Sequence, residues 1–254
     1  MSKFIGLTNQ PQLQSIDNLE NCFDMMEFTY KDVEKQIRTY RLVFDQTRNE
    51  KVEWQLKLPM FVPAFYNYVK SRNSIPDQKD YWQFYVSENK NRLTSLNLSK
   101  EEKIGVRARV FRTYPSLIRD LHFGLYIKNN GFFRSVFYNE FLDIEYGIDL
   151  VVENADGVKI GLNLFTETKA AKEARAVKKH RPKKSVDFDC HDIPIDFAGS
   201  KRCGDFFLYS EREIKTIVEK IQKTLTFEKP EEKPAPKSEL YESLNHALAD
   251  VRHI

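Results

Sequence analysis

Between Ser135 and Thr166 apolar and polar residues alternate, a period of two that suits strands and not a helix. Ser135–Glu145 reads as one long strand, Ile148–Glu153 as a second and Val158–Thr166 as a third, with Asn154-Ala-Asp-Gly157 as the hairpin turn between the last two. Helical spacing flanks this block. Ser99-Lys-Glu-Glu102 matches a capping box and opens a helix that should stop at Tyr114, because Pro115 cannot continue the backbone hydrogen bonding. A second helix is expected over Ser116–Lys128, with Leu117, Leu121 and Leu125 on one face, Asp120 and His122 flanking it, and Asn129-Asn-Gly131 as the turn that follows. Downstream come a helix rich in Ala, Lys, Glu and Arg over about 170–180, a strand-like run over 186–197, a short strand over 205–209 and a helix over 211–225. The fold class expected is α/β, a mixed α+β arrangement with a central mixed sheet flanked by helices.

Four regions follow from the shifts in pattern. Residues 1–98 form an N-terminal region in which 50–58 alternates like a strand, while 60–69 and 81–86 are dense in aromatics. That density suits an aromatic core, or a surface that stacks bases or recognises a partner. Residues 99–226 form the main core. The prolines and mixed charges of 227–237 suit a solvated linker. Over 238–254, Leu240, Leu244, Leu248 and Val251 recur every three or four residues, the stripe of an amphipathic helix that must dock on its own body, a second copy or a protein partner. With 254 residues, 41% of them hydrophobic, the chain can bury a sizeable core, which excludes wholesale disorder. No apolar run reaches membrane-spanning length, and Cys22, Cys190 and Cys203 do not make a disulfide scaffold, so the expectation is a cytoplasmic protein without membrane contact.

The order helix, three antiparallel strands, helix, strand, helix over roughly 100–225 resembles the core of the PD-(D/E)XK nuclease superfamily, the restriction-endonuclease-like proteins. The residues that carry the resemblance are Tyr146-Gly-Ile-Asp149-Leu-Val-Val-Glu153, the turn Asp156-Gly157 and the strand that runs from Lys159 to Glu167-Thr-Lys169. The resemblance implies a phosphodiesterase that uses Mg²⁺, with Mn²⁺ as a substitute. It also implies an Asp opening the second strand, a Glu-x-Lys on the third, and basic residues on the next helix facing the nucleic-acid backbone. Magnesium keeps several waters and needs one or two carboxylates. It polarises the phosphoryl oxygen, and a lysine steadies the attacking water and the developing charge.

Hairpin geometry places Asp149 opposite a residue close to Asn163, so the Glu-x-Lys positions fall on Asn163-Leu-Phe165. The literal Glu167-Thr-Lys169 lies four residues beyond Asn163, about 13 Å along a strand. Asp149, Glu167, Lys169 and Lys172 are the catalytic candidates, and Asp149, Asn163 and Glu167 the metal ligands, with Glu140 or Glu145 able to share the site. The plainer reading makes Glu167 and Lys169 ordinary helix-start residues.

Eight Lys or Arg residues and a single acid, Glu173, fall between Lys169 and Lys184. Arg175, Lys178, Lys179 and Arg181 are therefore the candidate phosphate contacts, against the alternative of a solvated basic face. Cys190 and His191 are neighbours on a strand and point to opposite faces, which disfavours zinc. The function expected is a Mg-dependent endonuclease acting on DNA, of restriction or phage-defence type. The alternative is a catalytically inactive subunit of the same fold that binds nucleic acid or serves in assembly.

Overall fold

The computed structural model describes residues 16, 19–166, 186–195 and 199–227. Its elements are helices α1 (Tyr30–Ile37), α2 (Phe61–Arg72), α3 (Gln78–Glu88), α4 (Lys90–Ser95) and α5 (Lys100–Asn129), strands β1 (Ser135–Phe137), β2 (Leu150–Glu153), β3 (Lys159–Thr166), β4 (Asp189–Ile195), β5 (Lys201–Cys203) and β6 (Phe206–Leu208), and helix α6 (Glu211–Phe227). The fold is mixed α/β. Its main sheet has the order β1-β2-β3-β4, antiparallel through the first three strands and parallel between β3 and β4. The linker and the C-terminal stripe lie outside the described residues.

The capping box forms as expected: Ser99 Oγ accepts from Glu102 N–H at 3.1 Å, and Glu102 Oε2 accepts from Ser99 N–H at 2.8 Å. The expected break at Pro115 does not occur, and α5 is one helix of 30 residues. Proline removes the N–H that would have met the Phe111 carbonyl four residues earlier. The buried amide of Gln78 takes its place, donating to Phe111 O at 3.0 Å while its own oxygen accepts from Val43 N–H at 2.7 Å. Gln78→Ala should therefore lower stability by about 1–2 kcal/mol, since it orphans buried backbone groups. Urea unfolding measures it, and an unchanged midpoint would refute the compensation.

One expected strand is replaced, and another cut short, by irregular helical turns. In 50–58 the chain makes a π-type turn over Lys51–Gln55. Neighbouring residues both turn inward there: Val52 is buried against Gly105 on α5, while Glu53 pairs with Arg109 at 3.6 Å and with Arg112. Alternation cannot bury two successive side chains on one side. The strand expected over 135–145 stops at Phe137. Asn139 turns the chain, its side chain bonding Phe141 N–H at 2.8 Å and Glu20 O at 2.8 Å, and a second π-type turn covers Leu142–Tyr146. The turn at 154–157 and the strands around it form as read, with Asn154 N–H meeting Val158 O at 3.0 Å. Strand β5, three residues long, is too short to show a period of two in the sequence.

One apolar cluster runs through the molecule and takes side chains from both sides of Ser99. Phe65, Tyr66, Tyr81 and Tyr85 from α2 and α3 pack with Tyr114, Leu121 and Leu125 of α5, and with Leu150, Val152, Ile160 and Leu162 of the sheet. The aromatics of the N-terminal region are thus largely core. A smaller cluster of Ile16, Leu142, Tyr146, Ile148 and Val151 covers the other face of the sheet. Cys22, Cys190 and Cys203 are free thiols. Among the described residues no helix is long and apolar enough to cross a membrane.

Candidate functional site

Asp149 stands where the chain enters β2 from the left-handed Gly147, whose φ is +68°. The regular ladder pairs Leu150 with Leu162 and Val152 with Ile160. The next bond breaks that count, because Asp149 N–H also meets the Leu162 carbonyl, at 3.0 Å. One extra residue is accommodated on β2, as in a β-bulge. The clusters agree: Ile148 and Val151 lie on one face and Leu150 on the other, so alternation is interrupted between 148 and 150. Asp149 shares the α5 face with Leu150, and its carboxylate reaches back to accept Leu164 N–H at 2.7 Å. The acid stands in for the strand carbonyl that would have met this donor.

The bulge corrects the expected pairing of ligands. Asn163 follows Leu162 and faces away from α5, so Asp149 and Asn163 project from opposite faces and are not brought together around one ion. Asn163 is 9% exposed; its amide donates to Asp192 Oδ1 across the parallel β3–β4 pair at 3.1 Å, and its buried Oδ1 has no hydrogen-bond partner. Glu145, named as able to share the site, lies in the helical turn over Leu142–Tyr146 and not on a strand. Glu140 pairs instead with Lys70 at 3.5 Å. Glu167, Lys169, Lys172, Arg175, Lys178, Lys179 and Arg181 lie outside the described residues.

The α5 face holds other acids. Asp120 lies 3.7 Å from Arg119 Nε, which donates to the Tyr209 hydroxyl at 3.0 Å. Loss of hydration pushes the Asp120 carboxyl up to about 6, against the opposing pull of Arg119 and of its hydrogen bond with Tyr209. Burial raises the Tyr209 phenol, and the charges of Asp120 and Asp149 raise it further. Burial likewise lifts Tyr66 well above its ordinary value, and Asp120, Asp143 and Asp149 all add to this. Acids from α5, from the 142–146 turn and from the start of β2 therefore act on one buried hydroxyl. A carboxyl raised by lost hydration beside a charged partner is a recognised mark of a functional site. The sequence offered one clue to Asp120, its place beside the Leu117–Leu121–Leu125 face, and none to Tyr66 or Tyr209.

A second polar centre joins α1, α5 and β5. Glu34 accepts from Lys201 Nζ at 2.9 and 2.8 Å and meets His122 Nε2 at 3.0 Å, with Tyr30 edge-on to the imidazole. His122, expected to flank the Leu117–Leu121–Leu125 face, is thus a buried partner of this ion pair. Among the described residues no group of three or more His, Cys, Asp or Glu side chains is arranged to hold a metal ion.

Compared with known protein families, curated proteins and solved structures, the chain matches none of them.

Proposed function

We propose that this chain is a nuclease-fold protein of the PD-(D/E)XK kind, a Mg-dependent endonuclease acting on DNA in restriction or phage defence. One observation carries the reading. A long helix precedes an antiparallel β1-β2-β3 meander, β4 lies parallel to β3, and an aspartate at the start of β2 is tied to β3 through Leu164. Parallel neighbours need a crossover of a dozen residues or more. Here the chain leaves β3 at the end where Asp149 opens β2, and the sequence between β3 and β4 contains the run of eight cations.

The described residues offer Asp149 and Asp120 as ligands, within the one or two carboxylates that Mg²⁺ requires, and Glu167 would add a third. When bound, the ion would polarise the phosphoryl oxygen and lower the pKa of a water. The chain's own part is to hold these acids over the Tyr66–Tyr209 floor, to supply Lys169 or Lys172 as the cation, and to grip phosphates with Arg175, Lys178, Lys179 and Arg181. Supercoiled plasmid incubated with Mg²⁺ or Mn²⁺ should be cut, and chelator, Asp149→Asn or Asp120→Asn should each abolish cutting. Cleavage should also rise as pH climbs through about 6, where Asp120 ionises. Cutting that persists in Asp149→Asn would overturn the assignment.

A second reading rests on β3 itself, which along Lys159–Thr166 carries neither an acid nor a lysine beyond Lys159, with Asn163 and Phe165 in its second half. It makes the chain a catalytically silent subunit that binds nucleic acid. Salt-sensitive binding of DNA without metal-dependent cutting favours it.

A further inference from the structure

An apolar groove of about 560 Å³ lies between α3, α4 and the first turns of α5, floored by Trp82, Val86, Leu93, Leu98 and Val106 and edged by Lys90 and Lys103. Its apolar residues are half-buried against the core, apart from Val106, which is fully buried. Neither lysine has an acidic partner among the described residues. Such a trough, with cations on its rim, suits an amphipathic helix of acidic character.

We propose that this groove receives the 238–254 segment of a second copy of the chain, so that two copies exchange tails. The segment's sequence places Leu240, Leu244, Leu248 and Val251 on one helical face. It carries Glu239, Glu242 and Asp250, with no lysine or arginine before Arg252. Its stripe matches the floor and its charge matches the rim.

Reach selects the second copy over the same chain. Helix α6 starts beside Arg119 and Phe123 of α5, through Tyr209, and by Gln222 it has reached Phe132, beyond the end of α5. From Asn129 back to Val106 is about 34 Å along α5, and the last turns of α6 add about 7 Å in the opposite sense. At the rise of an extended proline-rich chain, about 3.1 Å per residue, eleven residues such as 227–237 would cover about 34 Å. A straight linker therefore falls short of its own groove even before it bends round the body. A partner's groove carries no such constraint, and a two-fold arrangement engages both tails at once.

Cross-linking of the full chain tests this. In a Cys190→Ser background, one preparation carries Thr94→Cys at the groove edge and another Leu248→Cys in the tail. Mixed under mild oxidation they should give a covalent dimer that neither forms alone, and its absence overturns the proposal. A single chain bearing both substitutions should also cross-link as dimers; an internally bridged monomer would place the tail in its own groove and overturn it equally. By sedimentation, the native chain should show twice its monomer mass, and Leu244→Glu should halve it. Dimers unaffected by Leu244→Glu would sink the idea. The inference does not depend on the nuclease reading: a monomer that cuts DNA would remove it alone.

Discussion

Glu34→Ala is expected to lower stability by about 3 kcal/mol at neutral pH, the lower end for removing one partner from a buried ion pair. Glu34 is 9% exposed, yet three elements meet at its carboxylate: Lys201 from β5 and His122 from α5 bond to it, and it belongs to α1. Without it the His122 Nε2 loses its only described partner, and the Nδ1 of the same ring is already buried without one. Lys201 is 38% exposed and can turn to water, which keeps the loss from being larger.

The pH dependence has a definite sign. Burial works to raise the Glu34 pKa, but hydrogen bonds from Lys201 and His122 outweigh it, and the net direction is downward. A carboxylate held below its unfolded value contributes stability that is full above the unfolded pKa and is lost as pH falls through the folded one. The gap between the native chain and Glu34→Ala should therefore be widest at neutral pH and close in strong acid. Burial also lowers the His122 pKa, only partly countered by Glu34, so the ring is neutral at pH 7 and donates from Nε2 to the carboxylate. Urea titrations of both chains at neutral and strongly acidic pH measure the gap. A gap that does not shrink in acid would assign the loss to packing and not to the ion cluster.

How far such features were legible depended on whether their cause was local. The Ser99–Glu102 capping box, the 154–157 hairpin and α6 were readable because turn chemistry and periodicity lie within a few residues of one another. Pro115 misled because what repairs its missing hydrogen bond is Gln78, 37 positions earlier. The strand expected over 50–58 failed because Arg109 and Arg112 draw Glu53 toward α5 beside Val52. At the candidate site the sequence marked Asp149 and the approximate register, but a one-residue bulge decides which face an acid occupies, and alternation alone does not reveal it. Asp120 and Tyr209 meet only when α5 packs beside β6, a contact between residues 89 positions apart.

Gly124 on α5 offers the sharper test of packing. By helix propensity alone, Gly124→Ala should gain about 1 kcal/mol. The structure reverses the sign, because a Cβ at that position would lie 2.3 Å from Phe23 Cζ. That ring cannot retreat. Tyr66 and Tyr138 pack edge-on to it at 6.5 and 6.3 Å, and they stack on each other at 3.8 Å. Its backbone is fixed as well, since Phe23 N–H donates to Asn21 Oδ1 at 3.2 Å and Lys128 Nζ donates to Phe23 O at 2.8 Å. Overpacking against so confined a ring should leave Gly124→Ala about 2–3 kcal/mol less stable than the native chain. Phe23→Leu alone should also destabilise by leaving a void. Combined with Gly124→Ala it removes the clash, so the double variant should lose less than the sum of the two by about 1–2 kcal/mol. Urea midpoints of the four chains measure the coupling, and strictly additive losses would mean that helix and ring do not meet as described.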